Sequence, residues 1–430
     1  MINAVEVYMW GTRIGLLYTD GNRPFASFEY DKDFIKSGIE IAPICMPLSN
    51  NLYEFPNLVG DSFHGVPGLV ADSLPDKFGN AVINRWLASQ GKADYEFGAL
   101  DRLCYTGSRG MGALEYVPAN GPELNGDEEV DISKMVELAS DILNDRTSTQ
   151  IDMNKNLAYS QLLQLGTSAG GARAKALIAW NRETNEVRSG QIDLDHNYEY
   201  WLMKFDGVTS NGDHGLEDKP EYTLVEYAYY KMALKAGIKM TECKLFEENG
   251  RHHFMTKRFD RTDEGKLHMQ TLGALCHIDY NYPGLFSYEQ AALTMKQLRL
   301  PADDIEQLFR RMVFNVLAIN QDDHVKNFSF LMDKKGKWSL APAYDLTFAY
   351  DLNNRWLCAH QMLINNKDRD IKLEDLIESG KKMDISSRKI NIIIDEVRNA
   401  VAKWEELATE VGVSKTVIKE IKNLHSSVLN

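Results

Sequence analysis

The stretch QDDHVKNFSF, Gln321 to Phe330, constrains the fold more than any other part of the chain. It crowds Asp322, Asp323, His324, Lys326 and Asn327 into one short segment, directly behind the oily run FRRMVFNVLAIN and ahead of the apolar FSFLMD. Like charges side by side repel and a buried carboxylate without a partner is costly, so the crowding calls for a cation from outside the chain. Upstream, roughly from Asp304 to Ile319, the residues Ile305, Leu308, Phe309, Met312, Val316 and Ile319 recur at helical spacing and predict a helix buried on one face. Asn320 to Asn327 then form a loop. FSFLMD and KWSLAP, joined by Lys334-Lys335-Gly336, predict a hairpin that returns Asp345 to the neighbourhood of Asn327.

A carboxylate, a carboxamide five residues on and a second carboxylate after a hairpin form the set that magnesium-assisted phosphoryl transfer uses. In that reading Asp322 accepts the proton of an attacking hydroxyl, Asn327 and Asp345 hold Mg²⁺ against nucleotide phosphates, and Lys326 neutralises charge on the transferred group. The D-x4-N spacing selects Asp322 over Asp323, which becomes a loop-stabilising carboxylate. Taken alone, the segment also reads as a solvated polar loop.

Two features upstream extend the pattern. In LGTSAGGARAKAL, Gly166, Gly170 and Gly171 permit close backbone approach, so N–H groups could cradle phosphates; the Walker A and GxGxxG spacings are absent. In YEYWLMKFDG, alternation puts Trp201, Met203 and Phe205 on one face and Leu202 with Lys204 on the other. An ammonium on a mostly apolar strand needs an acid or a ligand, and Glu226 on the next helix is the expected acid; a lysine snorkelling at a strand end is the alternative. Gly-rich loop, strand lysine, helix glutamate, hinge-like strand, D-x4-N and metal Asp follow one another in the order of a protein-kinase-like fold.

At 430 residues the chain exceeds one ordinary core and should form two or three packed units. Apolar content of 44% with 26% charged residues is that of a soluble globular protein. No segment reaches the ~18 uninterrupted apolar residues of a membrane helix, and the N-terminus alternates like a strand, so a cytoplasmic protein with no membrane partner is expected. Cys45, Cys104, Cys243, Cys276 and Cys358 are scattered without a CxxC, which fits reduced thiols and argues against zinc. A net charge of −14 opposes unaided binding to DNA, although a basic partner could bring the chain there.

Up to about residue 118 the pattern is of short strands around one helix, DSLPDKFGNAVINRWLASQG, with Ser73 as its cap, Pro75 in the first turn and Gly91 at the stop. The acidic PANGPELNGDEEVD marks a boundary near 120. Beyond it, DISKMVELASDIL and EYTLVEYAYYKMALKAG predict helices, and KALIAW, YEYWLMKF and HHFMTKRFDR predict strands. After 260 the reading is mainly helical except for the one hairpin, and the tail from about Leu373 keeps helical spacing.

These segments together resemble the HipA family of bacterial toxin kinases. The likeness runs through FEYD, MPL at Met46 to Leu48, PGLVADSLPD, GALEYVP, TSAGGARAKAL, Lys204, KRFDR, DDHVKNFSF and LAPAYD. It implies an α+β, two-lobed protein-kinase-like fold: a β-rich subdomain over 1–120, a kinase N-lobe with the phosphate loop over 121–258 and a helical C-lobe over 259–430. It implies an ATP- and Mg²⁺-dependent serine/threonine protein kinase that is the toxin of a toxin–antitoxin pair. Such a toxin inhibits an aminoacyl-tRNA synthetase, is neutralised by a HipB-like helix-turn-helix antitoxin, and reaches DNA through it.

By position, the resemblance makes Asp322 the catalytic base and Asn327 with Asp345 the metal ligands. Gly170, Gly171, Ala172, Arg173, Ala174 and Lys175 become the phosphate loop, Lys204 a phosphate contact, and Lys257, Arg258 and Phe259 the hinge beside adenine. His324, Val325, Lys326, Asn327, Tyr344 and Asp345 complete the nucleotide pocket, and Ser168 falls where the family is autophosphorylated, which would expel the loop. The chain departs at Asp323, where the best-known members carry Gly, and at Arg173-Ala174, where they carry Gln-Glu, leaving open how the loop is anchored. A non-catalytic co-repressor working with an antitoxin and a small-molecule phosphotransferase are the other readings.

Overall fold

The computed structural model describes residues 2–89, 91–121, 129–143, 156–166, 173–192, 194–208, 221–426 and 428. Its architecture is α+β, divided into two compact units: 1–40, 48–223 and 243–269 form the first, and 41–47, 224–242 and 270–430 the second.

In the first unit, β1 (Ala4–Met9), β2 (Thr12–Tyr18), β3 (Ser27–Tyr30), β4 (Tyr53–Glu54) and β5 (Leu114–Val117) build an antiparallel sheet in the order β4-β3-β2-β1-β5. Val5, Val7 and Met9 alternate inward along β1, as a half-buried strand requires. Among these strands lie the short helices α1 (Lys32–Ile35) and α2 (Gly68–Ala71), then α3 (Lys77–Ser89) and α4 (Ala99–Thr106).

The cap of α3 is not Ser73. The Asp76 carboxylate accepts the Gly79 N–H at 2.6 Å, so the helix starts one turn later than expected, while the Ser73 hydroxyl bonds Tyr116 at 2.6 Å. An acidic side chain facing free N–H groups is the better cap, and Pro75 lies ahead of the helix. Helix α4 also escaped the sequence reading, although Asp101 reaches back to the Gly98 N–H at 3.0 Å in the manner of a capping box.

A second antiparallel sheet of the same unit has the order β7-β6-β8-β10-β9, from β6 (Lys175–Trp180), β7 (Val187–Ser189), β8 (Glu199–Lys204), β9 (Cys243–Glu248) and β10 (Arg251–Lys257). β9 and β10 are joined by Asn249-Gly250, both at positive φ, the two-residue turn that an Asn-Gly pair favours. Against one sheet face pack α3, α5 (Ile132–Leu143) and α6 (Asn156–Leu165), burying Phe78, Met135, Leu162, Ala176, Trp201, Met203 and Phe205 in one core. A small ribbon of β11 (Arg261–Thr262) and β12 (Gly265–Lys266) follows, a hairpin beyond residue 260 that helical spacing did not suggest.

The second unit is mainly helical. It holds α7 (Tyr222–Lys235) from Leu224 on, the end of β13 (His268–Thr271), α8 (Leu272–Cys276), α9 (Tyr288–Gln297) and α10 (Ala302–Leu317). The predicted hairpin follows as β14 (Ser329–Met332) and β15 (Trp338–Leu340), then α11 (Leu373–Lys382), α12 (Ser387–Val401), α13 (Trp404–Val411) and α14 (Lys415–His425). Phe330 pairs with Leu340 and Met332 with Trp338; Gly336, at positive φ, closes the turn on the Asp333 carbonyl. α10 packs on α9 and α12 and buries the expected Ile305, Leu308, Phe309, Met312 and Val316. Among the described residues, no helix is long and apolar enough to cross a membrane.

Candidate functional site

α10 ends where Ile319 takes positive φ and the Asn320 N–H returns to the Asn315 carbonyl at 2.9 Å. The loop then runs beside the segment after the hairpin: Gln321 donates to the Ala349 carbonyl at 2.9 Å, and Asn320 and Ala349 form a parallel bridge. Val325 to Asn327 make one 3₁₀ turn, with Val325 buried against α8. A Cβ at Gly273 would stand 3.0 Å from Val325 Cγ2, so α8 packs on this turn closely enough that a side chain there would make Val325 shift.

The two adjacent aspartates have different environments. Asp323 is 1% exposed and fully engaged: Oδ2 accepts Tyr288 at 2.7 Å and His360 Nδ1 at 3.0 Å, and Oδ1 accepts the Gln361 N–H at 2.7 Å. Behind Tyr288, Asn315 donates to its hydroxyl at 2.9 Å and Asn320 donates to Asn315 at 3.0 Å. Burial first, and then Asp323 beside it, push the Tyr288 phenol well above its ordinary value, so it stays a donor. The Asp322 side chain remains 44% exposed, with His324 Nε2 3.7 Å from Oδ1. Asn327 Nδ2 donates to the Asp322 carbonyl at 2.7 Å, which turns its amide oxygen the other way.

Tyr344 ties the post-hairpin segment to the same loop, since its hydroxyl donates to the Lys326 carbonyl at 2.7 Å and bonds Ser329. Asp345 follows at positive φ. Lys326 Nζ lies 4.6 Å from the centroid of the Tyr280 ring. Beneath, Arg311 is 2% exposed and donates to the Ala341 carbonyl at 2.6 Å; burial pulls its guanidinium down to about 10. Asp322, His324, Lys326, Asn327, Tyr344 and Asp345 are thus carried by one loop and the segment laced to it. Among the described residues, no group of three His, Cys, Asp or Glu is placed to hold a metal ion. A Mg²⁺ that keeps phosphate and water oxygens needs only one or two protein ligands, and an amide oxygen with one carboxylate is chemically adequate.

Several residues here were not singled out from the sequence: Tyr288, His360, Asn315 and Arg311. Arg311, on the buried face of an apolar helix, carried the only local signal, because such a guanidinium needs a fixed acceptor.

In the first unit, Lys204 is 8% exposed on the face opposite Trp201 and Met203, with Nζ 5.8 Å from the Phe254 centroid. Its cross-strand partner in register is Lys175. The Lys175 ammonium sits 2.9 Å from Asp76 Oδ2, with the side chains 3% and 8% exposed. Arg173 stacks 4.3 Å from the Tyr222 centroid, and Ala174 is buried, its carbonyl accepting the Phe205 N–H at 3.0 Å. Ser168, Gly170, Gly171 and Ala172 lie outside the described residues. Lys257 pairs with Glu199 at 2.7 Å, and Arg258 turns its side chain inward to Asp260 at 2.8 Å while its N–H donates to the Tyr200 carbonyl at 2.8 Å. Glu226, on α7 in the second unit, is buried.

A model of the HipA N-terminal domain matches residues 5–117, and one of the HipA-like C-terminal domain matches 167–404. Two relatives carry the name "Putative kinase": Y4mE of Sinorhizobium fredii, 26% identical over 59% of this chain, and a Haemophilus influenzae protein, 29% identical over 33%. The alignments span 60% and 46% of those relatives, about half their length. A solved structure from Shewanella oneidensis MR-1, described as a toxin–antitoxin complex of HipA, HipB and operator DNA, shares the fold. Its TM-score is 0.66 at 15% identity, covering 99% of this chain and 96% of that one. With its C-terminal domain model alone spanning more than half of the sequence, the chain belongs to the HipA family.

Proposed function

We propose that the chain is an ATP- and Mg²⁺-dependent kinase that phosphorylates serine or threonine of a protein and serves as the toxin of a toxin–antitoxin pair. One observation carries the reading: Asp323 is consumed by a buried network that clamps the loop, leaving Asp322 exposed beside Asn327. A loop built only for solvation has no need to fix one carboxylate so firmly beside another left partly exposed.

In the proposed reaction Asp322 takes the proton of the acceptor hydroxyl as its oxygen attacks the γ-phosphorus and the bond to ADP breaks. The Asn327 amide oxygen and Asp345 would hold Mg²⁺, which supplies charge neutralisation at the phosphates. Lys326 stabilises the transferred group, and Lys204 contacts phosphate. Lys257, Arg258 and Phe259 supply the hinge, Val325 and His324 back the pocket, and Ser168 is the site of self-inactivation. A HipB-like antitoxin is the proposed partner, supported by family membership; for a chain of charge −14, a basic partner also supplies the route to DNA. An aminoacyl-tRNA synthetase is the proposed target class.

Intact-mass and radiolabel measurements on the purified full chain with Mg-ATP test this. We expect one added phosphate on the wild type, none on Ser168→Ala, and a drop of roughly a thousandfold or more in incorporation for Asp322→Asn with an unchanged melting temperature. Normal incorporation by Asp322→Asn rejects the assignment of the base. Wild type that neither binds nor turns over ATP favours a co-repressor.

A further inference from the structure

Two segments that the proposed function places around the nucleotide both end in buried ion pairs with the N-terminal domain, residues 5–117. The first pair lies at the start of β6. Lys175 meets Asp76 at 2.9 Å, both side chains are more than nine-tenths buried, and the other oxygen of the same carboxylate caps α3. Gly166 tightens the joint, for a Cβ there would come within 3.0 Å of the Phe78 ring and 3.2 Å of the Lys175 carbonyl.

The second lies just after β10. Asp260 is fully buried and accepts Arg258 Nε at 3.0 Å, Arg258 Nη2 at 2.8 Å, Arg261 Nη1 at 2.6 Å and the Gly112 N–H at 2.8 Å. Arg261 continues to the carbonyls of Gly112 at 3.0 Å and Gly110 at 3.2 Å. A buried ammonium or guanidinium released from its acid is costly, so neither Lys175 nor Arg258 is available to reach a ligand without breaking its pair.

Resting on the kinase reading, we infer that Lys175 and Arg258 are positioning residues, not nucleotide ligands. Asp76 and Asp260 lock the phosphate-loop strand and the hinge to the N-terminal domain, making that domain a structural part of nucleotide binding. Ala174, next to Lys175, offers no acid, and Asp76 anchors the start of β6 from the N-terminal domain. Register carries the effect onward: Lys175 pairs directly with Lys204, so the start of β6 sets where the Lys204 ammonium stands.

The test is binding of a fluorescent ATP analogue, with KM and kcat for Mg-ATP, on full-length variants. Asp76→Asn and Asp260→Asn should each weaken the analogue and raise KM about tenfold or more while kcat changes far less. Asp375→Asn, which breaks the Lys367 pair at 2.8 Å in the second unit, should lower the melting temperature and leave KM unchanged. The decisive variant is the neutral double change Asp76→Leu with Lys175→Met. It keeps affinity within about threefold if Lys175 only positions, and loses at least tenfold if its ammonium grips phosphate. That loss, or unchanged affinity in both single aspartate variants, overturns the inference alone. Wild type that binds no nucleotide overturns the inference and the kinase reading together.

Discussion

Asp322 and Asp323 differ by one position and by almost everything else. The spacing to Asn327 singles out the first in the sequence, and the same logic marks the second as support for the loop. What stabilises Asp323 could not be read locally, because Tyr288 and His360 lie 35 and 37 residues away. Replacing Asp323 with Ala strands a phenol, an imidazole and a backbone N–H in the interior. It should lower stability by roughly 3 kcal/mol, seen as a reduced urea midpoint with an unchanged slope. An Asp323→Ala protein as stable as the wild type contradicts a clamping role. Lys175 teaches the converse: its place in a small-residue loop suggests phosphate, and its partner, Asp76, lies 99 residues away in a segment that reads only as a helix.

Among elements, the loop owes its shape to close packing of α8 on the 3₁₀ turn of Val325 to Asn327. Gly273→Ala inserts a methyl 3.0 Å from Val325 Cγ2 and 3.2 Å from the Ile278 carbonyl. We expect a loss of about 1–3 kcal/mol together with reduced turnover, since the turn that carries Asn327 must shift. Unaltered turnover in a folded Gly273→Ala protein contradicts this coupling. Helix α10 and the hairpin β14–β15 were legible because periodicity and turn composition are local. The β9–β10 hairpin is equally marked by Asn249-Gly250, a local turn signal that the reading of HHFMTKRFDR as a lone strand leaves out. The start of α3 was misread because Ser73 and Asp76 are both cap formers, and only the free N–H of Gly79 chooses between them.

At the scale of the whole molecule, one buried histidine and two half-buried ones make stability depend on pH. Burial pulls His253, His277 and His425 down to about 4, and His253 Nδ1 accepts the Asp206 N–H at 2.9 Å, so that nitrogen must stay unprotonated. Between pH 6.5 and 4 the unfolded chain binds protons that the native state refuses, so stability falls as pH falls. Each histidine contributes about 2 kcal/mol to that loss by pH 5. Asp260 adds to it at lower pH: burial would raise its pKa, but Arg258 and Arg261 hold it well below the usual carboxylate range, so its contribution is lost on acidification below about 3.8. Denaturant midpoints at pH 7 and pH 5 measure the slope; a flat or rising profile contradicts it, and glutamine at the three positions should flatten it.

The amino-acid sequence by itself determined the order of the parts: helix, loop and hairpin around Asp322, a strand lysine, a glycine-rich run, and the family these imply. Those features are encoded in short-range spacing, and spacing survives in one dimension. Which charges are free was decided only by tertiary structure, because an ion pair such as Lys175 with Asp76, or Arg258 with Asp260 and Gly112, forms when burial removes water from groups brought together by folding.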